Sequence, residues 1–145
     1  MTKSDNPYRN LRNHIAYDIE QQLTNAFIVN PNNHVVLPPN IPMISENGIY
    51  SFIFLDDGNL VIYDRDYANP IWNSNTHEIF PKPNKCIFQN DGNLLLTCYN
   101  TPVWAAPNRI FDATRAPYTY IMQNDGNFVI YDGHAIPVWT TASCN

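Results

Sequence analysis

The chain has 145 residues, 44% hydrophobic and 13% aromatic, with a formal net charge of −5 and a pI near 5.1. That is one domain's worth of chain with enough apolar material for a packed core, which excludes wholesale disorder. The acidic balance argues against the basic face by which nucleic-acid binders hold phosphates, and no apolar run approaches bilayer-crossing length.

In chain order, the start from Met1 to Pro7 carries no apolar segment and does not read as a signal peptide. The expectation is a protein that is cytoplasmic, released by a non-classical route, or trimmed of its leader. Asn6-Pro7 reads as an N-cap followed by proline at the first helical position. Tyr8, Leu11, Ile15, Ile19 and Leu23 then recur at spacings of three and four, with Arg12, Asp18 and Glu20 between them. The pattern predicts an amphipathic helix over 7–23 within an N-terminal extension of residues 1–29. A rival reading takes Gln21-x-Leu23-x-Asn25-x-Phe27 as a decayed copy of the motif that follows.

From about Asn30 the chain repeats itself. Phe52-Ile-Phe-Leu-Asp-Asp-Gly-Asn-Leu-Val-Ile-Tyr63 aligns with Cys86-Ile-Phe-Gln-Asn-Asp-Gly-Asn-Leu-Leu-Leu-Thr97 and Tyr120-Ile-Met-Gln-Asn-Asp-Gly-Asn-Phe-Val-Ile-Tyr131. Asp57, Asp91 and Asp125 stand 34 residues apart, and each unit closes on Pro70-Ile-Trp72, Pro102-Val-Trp104 or Pro137-Val-Trp139. Asp-Gly between two apolar runs marks a hairpin, because glycine accepts the positive φ of a tight turn. Proline before each Trp fits a strand start or an edge. Each unit is therefore a hairpin plus a third strand. One such sheet cannot bury its apolar face alone, whereas three around an axis can. The expectation is that Trp72, Trp104 and Trp139 fill the centre.

These residues resemble the bulb-type (monocot, snowdrop-like) mannose-binding lectin family, whose mark is Gln-x-Asp-x-Asn-x-Val-x-Tyr in each of three subdomains. The resemblance covers residues 30–145. It implies an all-β fold, a β-prism II of three four-stranded antiparallel sheets with pseudo-three-fold symmetry, and one shallow sugar site per sheet. The third copy is intact in Gln123, Asp125, Asn127, Val129 and Tyr131. By resemblance, Asp125 and Asn127 bond the axial O2 of mannose, Gln123 holds O3, Tyr131 holds O4, and Val129 packs on the C3–C4 edge. Such a cluster suits a sugar, whose hydroxyls both donate and accept.

The first copy keeps Asp57, Asn59, Val61 and Tyr63 but has Leu55 for Gln, which impairs it. The second keeps Gln89, Asp91 and Asn93 but has Leu95 for Val and Thr97 for Tyr, too short to reach O4, so it is expected to be silent. The resulting order is third, first, second. Asp-Gly-Asn alone is accounted for by turn chemistry, but no turn requires Gln123, Val129 or Tyr131.

Where the family often carries a disulfide cysteine, Gly58 stands. Cys86 and Cys98, placed diagonally across a hairpin, are expected to remain free and partly buried. His14, His34, His77 and His134 are scattered without ligand spacing, so neither a metal nor a cofactor is expected. Glycoside hydrolysis needs two opposed carboxylates, and each motif offers one, so no enzyme is expected. The reading is non-enzymatic binding of mannose or mannosylated glycans, with family-type exchange of C-terminal strands allowing a homodimer or higher oligomer. The alternative is a prism scaffold for protein–protein contact, toxin- or bacteriocin-like, with sugar binding decayed.

Overall fold

The computed structural model of the protein describes residues 24–67, 69–107 and 112–143; the expected helix over 7–23 and Cys144 lie outside them. The described strands are β1 (Ala26–Val29), β2 (His34–Leu37), β3 (Met43–Ile44), β4 (Ser51–Phe54), β5 (Leu60–Tyr63) and β6 (Pro70–Asn73). They continue with β7 (Lys85–Gln89), β8 (Leu94–Cys98), β9 (Thr101–Ala105), β10 (Tyr118–Met122), β11 (Phe128–Tyr131) and β12 (Pro137–Thr140). They form three four-stranded antiparallel sheets, in the orders β3-β4-β5-β6, β2-β7-β8-β9 and β1-β10-β11-β12. This is the β-prism. Each repeat supplies a three-stranded meander, as its sequence implies. The fourth strand of every sheet comes from residues 26–44, ahead of the repeats, so the prism draws on chain before Asn30. The described part of the segment suspected of being a decayed copy provides β1, an edge strand of the third repeat's sheet.

Each hairpin turns in the same way. The backbone N–H of Leu55, Gln89 and Gln123 donates to the carbonyl of Asn59, Asn93 and Asn127, at 2.9 Å in every copy. Gly58, Gly92 and Gly126 take φ of +91°, +88° and +91°, a region that glycine enters without steric cost. One oxygen of Asp57, Asp91 and Asp125 accepts the N–H of the asparagine two residues on, at 3.0, 3.0 and 2.9 Å. The aspartate therefore braces its own turn.

Alternation along the hairpins sends one set of side chains to the axis. Phe52, Phe54, Leu60 and Ile62 point there from the first sheet, Cys86, Phe88, Leu94 and Leu96 from the second, and Tyr120, Met122, Phe128 and Ile130 from the third, all buried. The ring centroids of Phe52 and Phe128 are 3.9 Å apart, those of Phe88 and Tyr120 4.5 Å, and both pairs are stacked.

The expectation that the three Trp residues fill the centre is corrected by this arrangement. Trp72, Trp104 and Trp139 lie on the outermost strands β6, β9 and β12, so they are half-buried and pack against the core from its margin. Trp72 and Trp139 meet edge to face at 6.0 Å, across the seam between two sheets. Cys86 is buried, Cys98 half-buried, and both are free thiols, as expected.

The turns also lock the sheets together. A Cβ on Gly58 would meet Pro83 at 2.9 Å, one on Gly92 the Tyr118 ring at 2.6 Å, and one on Gly126 the Tyr50 ring at 3.3 Å. Each turn is thus covered by a residue at or just ahead of the start of another repeat's hairpin, in cyclic order. Gly92→Ala is expected to destabilise the fold by more than Gly126→Ala. Both incur the left-handed cost of about 1–2 kcal/mol, and only the first drives a methyl into a ring that Tyr118 cannot withdraw without breaking its hydroxyl bond to the Asp112 carbonyl, 2.7 Å. Urea denaturation of the two variants checks this order; equal losses would contradict it.

Candidate functional site

Strand alternation that fills the axis sets the other side chains outward, and the motif residues are among them. On the third sheet, Gln123 directly follows β10 and Asn127 directly precedes β11, one on each side of the turn that presents Asp125. Tyr131 closes β11. In every sheet the pairing of the second and third meander strands, β5–β6, β8–β9 and β11–β12, shifts register here, between Ile62 and Tyr63, Leu96 and Thr97, and Ile130 and Tyr131. Such bulges re-aim the side chain beside them, and in the first and third repeats that side chain is the motif tyrosine.

The third face forms a connected polar cluster. With its amide oriented to satisfy its neighbours, Gln123 accepts from the Tyr131 hydroxyl at 2.5 Å and donates to the two Asp125 oxygens at 3.2 and 3.3 Å. The Asn127 amide donates to Asp125 Oδ2 at 3.4 Å. Asp125 is exposed, while Gln123, Asn127 and Tyr131 are half-exposed. Val129 lies between Ile121 and Thr140 and keeps only 4% of its surface open. Beside Tyr131 runs a mainly apolar groove of about 390 Å³, lined by Ile28, Thr119, Ile121 and Ala135.

Asp132, the residue after Tyr131, anchors the loop that follows. Its carboxylate accepts the backbone N–H groups of His134 and Ile136, both at 2.9 Å, and the Arg115 guanidinium through Nε at 2.8 Å. The Ile136 N–H, with the Arg115 and His134 bonds behind it, holds the Asp132 carboxyl below the usual carboxylate range against the opposing effect of desolvation.

The first face is different. Ile53, Leu55, Val61, Tyr63 and Tyr67 make a second apolar cluster on the outer side of the sheet. Tyr67 comes from a 3-10 turn, Arg65–Tyr67, and its ring meets that of Tyr63 edge to face at 5.3 Å. Tyr63 and Asn59 are each only 8% exposed. The Asn59 amide oxygen accepts from the Ser74 hydroxyl and the Thr76 N–H, both at 3.1 Å, and its nitrogen donates to Asn73 at 3.4 Å. Asp57 alone of that copy remains exposed.

Motif matching does not reveal Tyr67. The trace it leaves in the sequence is loop length: seven positions separate Tyr63 from Pro70, against five from Thr97 to Pro102 and six from Tyr131 to Pro137. The second face is open, with Gln89, Asp91, Asn93 and Leu95 half-exposed beside a groove of about 500 Å³.

No protein-family model matches the chain. Its sequence is 33% identical over 97 residues to the mannose-specific lectin of Aloe arborescens, a match that covers 66% of this chain and 82% of that one. The chain belongs to the bulb-type mannose-binding lectin family. Solved structures in this family share its fold. A monomeric monocot mannose-binding lectin from Gastrodia elata superposes with a TM-score of 0.66 at 27% identity, over 84% of this chain and 100% of its own. The mannose-specific agglutinin of snowdrop (Galanthus nivalis), complexed with methyl-α-D-mannoside, gives 0.57 at 31% identity, over 74% and 88%. Among the described residues, no group of three or more His, Cys, Asp or Glu is placed to hold a metal ion.

The depressed Asp132 carboxyl has a consequence in acid. A group whose folded pKa lies below its unfolded value, about 3.9 for Asp, stabilises the fold above that value and loses the contribution as pH falls through the folded pKa. Asp132→Asn is expected to lower the urea midpoint at neutral pH, and the gap from wild type is expected to shrink below about pH 4. A gap that is constant through the acid range would show that the carboxylate's charge does not matter there.

Proposed function

We propose that the protein is a non-enzymatic lectin for mannose and mannosylated glycans, acting mainly through the third repeat. The observation that carries this is the Gln123 amide held between the Tyr131 hydroxyl and the Asp125 carboxylate on an outward-facing surface. Donors and acceptors are fixed side by side there, and neither the turn nor the core requires Gln123 or Tyr131. An incoming sugar meets groups already oriented, which lowers the ordering cost of binding. Asp125 and Asn127 bond the axial O2, Gln123 holds O3 and Tyr131 holds O4. Val129 offers the C3–C4 edge the thin strip it leaves open. A site built on particular hydroxyls rejects epimers that misplace them, because its own polar groups are then left unpaired.

Burial alters the order of the remaining copies. The first repeat is closed by Tyr67, and its Asn59 is engaged within the fold. The second is open but lacks the phenol. We therefore rank the repeats third, second, first for access. The motif residues offer one carboxylate per face, set among amides, hydroxyls and apolar groups, which suits binding and not glycoside hydrolysis. The strand β12 supplies the outer edge of the third repeat's sheet, the strand that family-type exchange between copies would swap. Any avidity from assembly then depends on the sites being engaged together.

Calorimetric titration with methyl α-D-mannoside is expected to show one dominant site. Tyr131→Phe removes one hydrogen bond, about 0.5–1.5 kcal/mol or a few-fold to about tenfold in affinity. Asp125→Asn removes a charge-assisted bond and is expected to cost about tenfold or more. Asp57→Asn is expected to leave the affinity within experimental error of wild type. Mannoside affinity that is unmoved by Asp125→Asn would overturn the assignment of the third repeat.

A further inference from the structure

The second repeat departs from its siblings at two positions that face each other. Ser51 pairs with Tyr63 in the first hairpin and Thr119 with Tyr131 in the third, a small residue opposite the motif tyrosine. At the same place in the second hairpin, Lys85 pairs with Thr97. The long side chain has moved to the other strand and become a cation. Lys85, Ile87 and Gln89 share one face of β7 by alternation.

Lys85 lines the groove of about 500 Å³ together with His34, Val36, Ile87, Gln89 and Asn100. It is exposed and has no ion-pair partner among the described residues. Two further groups on this outward face are unsatisfied. Thr97 is 3% exposed, and its hydroxyl finds no hydrogen-bond partner among the described residues; the buried amide oxygen of Asn93 lacks one too.

We infer that the second repeat is a site for an anionic sugar, a hexose bearing a phosphate or carboxylate, with Lys85 holding the anion in place of the missing phenol. The inference rests on the lectin reading above and adds a ligand class to a repeat whose motif is incomplete. The polarity of the groove supports it. Asp91, at the turn, would repel an anion placed beside it. Lys85 lies four residues down the strand from Gln89, about 13 Å between backbones at the usual rise per residue. The groove therefore has a hydroxyl-binding end at Gln89 and Asp91 and a cationic end at Lys85. Val36 and Ile87 supply apolar surface for the C–H face of a ring. His34, opposite Gln89 across β2 and β7, is the remaining titratable group in the lining. An ammonium is a compact point charge suited to phosphate or carboxylate, and its flexible stem lets it follow the anion.

The test uses the full chain carrying Asp125→Asn, which weakens the third site, titrated with methyl α-D-mannoside, mannose 6-phosphate and methyl α-D-mannosiduronate. At least one anionic probe is expected to bind tenfold or more tighter than the neutral mannoside, with a preference that added salt erodes. Whether phosphate or carboxylate wins identifies the anion. Adding Lys85→Met is expected to abolish the preference, and Lys85→Arg to retain it. Equal binding of neutral and anionic probes, or a preference that survives Lys85→Met, would overturn the inference. Wild-type binding of methyl α-D-mannoside is read separately, so loss of the anionic preference is distinguishable from failure of the lectin reading itself.

Discussion

The glycine of each Asp-Gly-Asn turn is the constraint on which the rest of the molecule depends. Its left-handed backbone reverses the chain, and the space where a side chain would stand is taken by a neighbouring segment: Pro83 over Gly58, Tyr118 over Gly92, Tyr50 over Gly126. Because each cover comes from a different sheet, the turns join the three repeats into a closed ring. Tyr120 tightens the second link further, its buried hydroxyl lying 2.6 and 2.8 Å from the Gln89 and Asn93 carbonyls at the base of the turn. Hairpin geometry and sheet association are in this way one requirement and not two.

The ring separates folding from recognition. The turn fixes the parity of the strands on either side, and parity assigns alternate residues to the axis or to the outside. The axial set is apolar in all three repeats, whereas the outer set is free to diverge. It does so three ways: a polar cluster at Gln123–Tyr131, an apolar cluster sealed by Tyr67, and an open groove with Lys85 across from Thr97. Asp57, Asp91 and Asp125 bridge both tasks, since one carboxylate oxygen is committed to the turn in every copy. An aspartate at this position is therefore weak evidence of a ligand by itself, and its neighbours on the outer face decide.

Much of this was legible in the chain. Period, turn chemistry and alternation together specify three hairpins with defined inner and outer faces, and the resemblance carries them to a prism. What the repeats do not display is the source of each sheet's fourth strand. That strand comes from short segments with no shared motif, whose role is set by which edge they can reach. The Trp residues were misplaced for a related reason. Pro-apolar-Trp looks like a core signature, but it lies on the last strand of each meander, and an edge strand puts its side chains at a seam. Tyr67 was missed because packing on an outer face arises from loop length and not from motif content, so a copy with four of five motif residues is more thoroughly closed than one with three.

The central claim, that one repeat presents a preformed sugar site while its nearest copy is closed, is tested most directly by amide NMR during titration with methyl α-D-mannoside. The account predicts that the side-chain amide signals of Gln123 and Asn127 shift in a saturable manner with the backbone signals around Asp125, while the Asn59 side-chain amide stays in place. Saturable shifts at Asn59, with Gln123 and Asn127 unmoved, would contradict it.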